Sequence, residues 1–116
     1  MTDHTPTETK EIPAERWVNW CDTFSNGNRG RPLSISTIDD VYGDETLNDE
    51  VALVAVDYDP VHKGNDFVIS FGEQDAPTSH VVSAPVRLSQ AQDADGLVVA
   101  VEIEDQNGQR TILSFG

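Results

Sequence analysis

Cysteine is nearly absent from this chain. Cys21 stands alone, which excludes an internal disulfide and a zinc site built on paired cysteines. Lysine is almost as scarce: Lys10 and Lys63 are the only two, beside five arginines. Direct nucleic-acid binding needs cationic side chains to neutralise phosphates, so no nucleic-acid partner is expected. Long apolar runs are also missing. None approaches the roughly 20 residues of a membrane-spanning helix, and no membrane association is expected. The start, "MTDHTPTETKEIP", lacks the charged-then-apolar pattern of a secretory signal, so the protein is expected to be cytoplasmic. No glycine loop of the phosphate-cradling type is present, and no serine sits in a Gly-x-Ser-x-Gly elbow. No cofactor is expected.

Acid is what the chain has in abundance. Thirteen aspartates and eight glutamates against seven basic residues leave a net charge of −14 over 116 residues. A surface rich in Asp and poor in Lys suits a salt-filled cytoplasm. Self-repulsion there is screened to about 3 Å at 1 M, while carboxylates keep the protein hydrated and apart from its neighbours. Salt adaptation is the preferred reading. An acidic decoy for a basic protein partner is the alternative.

The length fits one domain. Residues 1–10 lack periodicity and read as a disordered acidic tail, leaving 11–116 as a single α+β domain. In "IPAERWVNWCDTFSNGNRGRP", Pro13 and Glu15 suit a first helical turn. Trp17, Trp20, Cys21 and Phe24 share one helical face, and "SNGNRG" stops the helix. The period then changes to two. "PLSISTI" reads as a half-buried strand, "DDVYGDETLNDE" as a polar connection, and "VALVAVDYD" as a central strand covered on both faces. "DFVISFG" places Phe67, Ile69 and Phe71 together. Pro85 within "SHVVSAPVRLS" argues for an edge or a break. "GLVVAVEIED" sets Leu97, Val99, Val101 and Ile103 against Ala100, Glu102 and Glu104. Asn107-Gly108 predicts a type I′ hairpin turn before "RTILSF". The expectation is one amphipathic helix followed by a mostly antiparallel meander of about six strands, flat or curled into a small barrel.

The segments "IPAERW", "VALVAVDYDP", "SHVVSAPVRL" and "VEIEDQNGQRTILSF", in that order and spacing, resemble the domain of unknown function family numbered 5335, a family of small prokaryotic proteins. The resemblance runs from about Glu11 to the C-terminus. It implies a helix followed by a β-meander and carries no activity or catalytic residue with it.

"VDYDPVHKGNDFVISFG" holds the densest group of chemical side chains. Asp57, Asp59, His62 and Asp66 are the candidate metal ligands, since a divalent cation such as calcium takes six to eight oxygens. Their spacing matches no fixed-position loop, Lys63 lies among them, and Asp, Pro, Gly and Asn are ordinary turn formers. A hairpin turn is the preferred reading, with a metal protein or a carboxylate hydrolase as the alternative. Residues 91–102 partly match a calcium loop through Asp93, Asp95, Gly96, Val98 and Glu102. They fail at Ala91, and the flank reads as a strand rather than a helix. Cys21 on the apolar helix face reads as a small hydrophobe. His4 falls in the tail, and His80 suits a structural or surface role. Glu102 and Glu104, about 7 Å apart by strand rise, form a glycosidase-like pair that a solvated sheet face explains as well. No convergent catalytic constellation emerges. A non-enzymatic binding or self-associating module is expected, and an edge strand near Pro85 suits a homodimer.

Overall fold

The computed structural model describes residues 7–39 and 43–115. The fold is α+β. It comprises β1 (Glu8–Ile12), a 3-10 turn (Ala14–Arg16), α1 (Trp17–Asn28), β2 (Pro32–Asp39), β3 (Gly43–Asp59), a second 3-10 turn (Val61–Lys63), β4 (Asp66–Glu73), β5 (Ala76–Ser83), β6 (Pro85–Gln92), β7 (Val98–Asp105) and β8 (Arg110–Phe115). One helix precedes most of the strands, and its apolar face is buried against the sheet. Trp17, Cys21 and Phe24, at i, i+4 and i+7, are all buried, and Trp20 is half-buried beside them. Trp17 donates its indole N–H to the Ile12 carbonyl at 2.8 Å, and Trp20 donates to Gln90 Oε1 at 2.8 Å.

The strand count and the closure both correct the expectation of a six-stranded meander or small barrel. Eight antiparallel strands form one open sheet in the order β1-β6-β7-β8-β2-β3-β4-β5. A barrel would need β5 to pair with the far end of the sheet. The strand that follows it, β6, already has β1 on one side and β7 on the other. The far end is β1, and β5 pairs with β4 alone without meeting it, so the sheet stays open. The chain turns between β5 and β6 at one residue, Ala84, held at φ 53°. Its N–H donates to the Asn65 carbonyl at 3.0 Å, and its carbonyl accepts from Gln106 N–H at 3.0 Å. Pro85 opens β6, where its missing donor is not needed.

Residues 8–10, expected as the end of a tail, lie in β1, where Glu8 to Ile12 pair with Gln92 to Leu88. Residues 1–6 of that expected tail, His4 included, are outside the described residues. The segment expected as a polar connection is also largely strand. Residues 43–50 extend β3 along β2, with bulges between Leu33 and Ser36 and Glu50 at φ 53°. These residues form an exposed arm at the edge of β2, whose other side pairs with β8, and charge does not prevent a strand when both of its faces meet water.

Beyond the arm, the helix replaces a strand. β2 begins at Pro32, opposite Ala52, so the backbone of β3 past that point has no strand on that side. The end of α1 supplies the partners instead. Gly30 N–H donates to the Leu53 carbonyl at 2.7 Å, and Leu53 N–H donates to the Arg31 carbonyl at 3.0 Å. Arg29 Nε donates to the Val54 carbonyl at 3.0 Å. Ser25 Oγ accepts from Val56 N–H at 2.9 Å and donates to the Val56 carbonyl at 3.0 Å. Every buried backbone group needs such a partner, and here one helical hydroxyl serves two.

The core is one cluster. Leu33 and Ile35 of β2, Leu53 and Val56 of β3, Phe67, Ile69 and Phe71 of β4, Leu88 of β6, Val101 and Ile103 of β7, and Leu113 and Phe115 of β8 meet the helix there. Each such side chain contributes roughly 1.5–3 kcal/mol on burial. The alternation expected in β4 holds residue by residue, and in β7 it holds from Val99 to Ile103, whereas Leu97, expected on the same face, lies before the strand and is exposed. In β3 the coverage of both faces does not, because Ala52 is exposed while Leu53 and Val56 are buried.

The β7–β8 connection is a hairpin, but not type I′. Only Gly108 takes a positive φ, 84°, and Asn107 does not. Gly108 N–H donates to the Asp105 carbonyl, and Asp105 N–H to the Gln109 carbonyl. The Asp105 carboxylate accepts from Asn107 and Gln109 N–H at 2.9 and 3.0 Å. The longer loop lets one glycine absorb the left-handed residue while aspartate caps the rest.

Candidate functional site

The stretch from Asp57 to Asp66 is the end of β3, a 3-10 turn and the start of β4. Pro60 begins the turn, and its carbonyl accepts from Lys63 N–H at 2.7 Å and from Asn65 N–H at 3.1 Å. Gly64 at φ 126° and Asn65 at φ 55° carry the left-handed geometry that reverses the chain. Tyr58 Oη donates to Asn65 Oδ1 at 2.7 Å, tying the turn to the strand. Burial, with a smaller contribution from Asp66, raises the Tyr58 phenol above its ordinary range.

The four candidate ligands do not converge. Asp59 and Asp66 are ladder partners. Asp57 and Asp59 both line a hollow of about 370 Å³ with Val18, Cys21, Asp22 and Val68, and neither Asp66 nor His62 lines it. His62 sits exposed on the 3-10 turn. Among the described residues, no three His, Cys, Asp or Glu side chains come together in a group that could hold a metal ion. Asp22 is the neighbour that sequence reasoning missed. It approaches Asp57 only because α1 lies along β3, and no local spacing records that.

The second calcium-like stretch is a capped turn. Asp93 Oδ1 accepts from Asp95 and Leu97 N–H at 2.9 and 3.0 Å, and Gly96 N–H donates to the Asp93 carbonyl. This is the Asp105 arrangement again, so the Asp-x-x-Gly-x sequence encodes both connections that flank β7. Glu102 pairs with Arg110 at 3.4 Å and Glu104 with Arg87 at 3.3 Å. The two glutamates are therefore members of separate exposed ion pairs.

Cys21 is buried. Burial, reinforced by Asp57 and Asp22, pushes its thiol up to about 12. A thiol in that state is not a nucleophile near neutral pH. His80 is half-buried on β5, and burial lowers its pKa below the ordinary histidine value.

The helix, the sheet order and the absence of a metal cluster among the described residues give no established chemistry to follow. A family model does match, over residues 8–116. The chain belongs to DUF5335, a family of unknown function. The match covers every element of this DUF5335 fold, from β1 to β8. No curated protein and no solved structure shows a significant match. Among the described residues of the DUF5335 domain, no helix is long and apolar enough to cross a membrane.

What distinguishes one part of the surface is its lack of charge. Among the described residues, the ladder leaves three strand edges with a partner on one side only. β1 carries Glu8, Lys10 and Glu11. The outer part of β3, residues 43–50, carries Asp44, Glu45, Asp49 and Glu50. β5 reads Ala-Pro-Thr-Ser-His-Val-Val-Ser and carries no carboxylate, lysine or arginine. Its Val81 is 50% exposed.

Proposed function

We propose that this protein is a non-enzymatic interaction module that self-associates through the free edge of β5. The uncharged β5 is the observation that carries the reading. Open edges are ordinarily guarded by charge, often lysine. In a chain of net charge −14, an eight-residue edge without charge is the place where two copies approach with least repulsion. Pro77 lacks a donor and Ala84 turns the chain, so the usable template is residues 78–83.

A two-fold axis normal to the sheet pairs residues that point to the same face. The register centred on Val81 then sets Val81 against Val81 of the second copy, and Ser79 against Ser83. An exposed valine gains an apolar cross-strand partner. Edge pairing buries less than the ~1,200 Å² of a standard interface, so the association is weak and responsive to salt.

The acidic surface supports salt adaptation and a cytoplasmic site of action, and it argues against nucleic acid as partner. Size-exclusion chromatography with light scattering, in 0.1 and 3 M KCl, tests the reading. The expected result is a dimer favoured at 3 M, where screening is strongest, and a monomer for Val81→Lys in both salts. A wild-type chain that stays monomeric at both salts overturns the self-association reading.

A further inference from the structure

A departure from the overall acidity lies between α1 and β1, where Lys10 and Arg16 line one hollow. It has a volume of about 320 Å³ and is lined also by Glu11, Ile12, Trp20 and Gln90 among others. That is the lower end of the size range of small-molecule sites. Two of the seven cations in the chain face the same space. Neither has an ion-pair partner among the described residues, although the chain has three carboxylates for every cation.

The other four arginines are engaged in ways that Lys10 and Arg16 are not. Arg87 holds Glu11 at 3.2 Å and Glu104 at 3.3 Å. Arg110 holds Glu102. Arg31 donates to Asn28 and to the Val98 carbonyl and lies 4.6 Å from the Phe115 ring centre. Arg29 donates to the Val54 carbonyl. The one acidic side chain on the hollow, Glu11, is thus already committed to Arg87. What remains facing the space is positive.

The wall between the cations is apolar and fixed. The Trp20 ring stacks on Phe24 with centres 4.6 Å apart and planes 10° from parallel. Its N–H is anchored on Gln90 Oε1. An indole N–H only donates, so the Gln90 oxygen must face it. The Gln90 amide –NH₂ is left without a protein partner among the described residues. The hollow therefore offers two cations, a free amide donor, and the Ile12 and Trp20 surfaces.

We infer that the hollow between α1 and β1 binds a small organic carboxylate: an anionic head on Arg16 and Lys10, and a flat apolar body along Ile12 and Trp20. A guanidinium fork matches a carboxylate with two parallel bonds. The apolar wall distinguishes such a ligand from a bare inorganic anion. This site is separate from β5 and independent of the self-association reading.

The test is an NMR titration of the ¹⁵N-labelled full chain at 0.1 M KCl. The Trp20 indole N–H is the reporter, and sodium benzoate, neutral benzamide and sodium phosphate are the probes. Benzoate should give saturable shifts, with benzamide and phosphate giving none. Arg16→Gln should weaken benzoate about tenfold, the worth of one charge-assisted bond, while Lys63→Gln leaves it unchanged. Arg16 is exposed, so its variant keeps the fold, and an unchanged spectrum away from the hollow checks this. Absence of a saturable benzoate shift, equal response to benzamide or to phosphate, or full retention in Arg16→Gln each overturns the assignment.

Discussion

The two ends of the sheet solve the same problem in opposite ways. β1 and β5 are both terminal strands with one row of backbone groups facing water, and each has a single buried anchor, Ile12 in β1 and Val82 in β5. β1 is short and charged, and its Glu11 is paired to Arg87 of the neighbouring β6. β5 is eight residues long and uncharged. Guarding one edge and leaving the other plain is how a chain directs association to one side of a sheet. The difference concerns what each edge permits, because both strands are held to the body by similar means.

The anchors offer the strongest way to break that symmetry of attachment. Ile12→Ala should cost about 3 kcal/mol and also loosen the Ile12 carbonyl that receives Trp17. Val82→Ala should cost about 2 kcal/mol. Urea unfolding at low protein concentration measures both, and amide exchange shows which strand frays. Equal protection of β1 and β5 in the Ile12 variant would contradict the single-anchor account of β1.

The next largest effect lies in the turn that supports the guarded edge. Asp93 caps the β6–β7 turn, and the preceding Gln92 pairs with Glu8 of β1. Asp93→Ala should cost about 1–2 kcal/mol, since it frees two backbone donors. Chemical-shift changes should reach β1 and leave β5 untouched. A variant as stable as wild type would show that the Asp93 cap contributes nothing.

The smallest effect belongs to the plain edge. Burial holds the His80 pKa below its ordinary 6.5, so the folded state favours the neutral ring. That contribution is fully present above pH 6.5 and is lost as pH falls through the lowered folded value. His80→Gln should flatten this part of the stability profile. Urea midpoints at pH 7.5 and 5.5 compare the variants, and because the carboxylates titrate equally in both, they cancel. An unchanged difference between the two pH values would remove His80 from the account.

Where burial and periodicity coincide, the structure was legible in the sequence. Trp17, Cys21 and Phe24 marked the helix, and Phe67, Ile69, Phe71, Val99, Val101 and Ile103 marked two strands, because a covered face leaves an apolar pattern. Residues 43–50 left no such pattern, since neither face of the arm is covered. The helix in place of a strand beside β3 was invisible for another reason. It depends on Ser25, Arg29 and Arg31 meeting Leu53, Val54 and Val56 across a fold not yet formed. The site candidates failed alike: Asp57 to Asp66 are close along the chain but divided between strand, turn and strand. The hollow at Lys10 and Arg16 had one faint signal, the rarity of cations, which gains meaning only once Glu11 is seen to be held by Arg87.

The pairing of β1 with β6 has a consequence for synthesis. Glu8 meets Gln92 and Ile12 meets Leu88, so β1 leaves the ribosome ahead of α1 and β2 to β5 and waits for all of them before its partner exists. Chains emerge and fold from the N-terminus, and during that interval β1 is a lone strand amid other nascent chains. Its two glutamates and its lysine serve it then as well as afterwards, by keeping the waiting segment hydrated and unpaired. β5 has no such wait. It follows β4 by a two-residue turn and is paired almost as soon as it is made, which is why an edge without charge can be tolerated there.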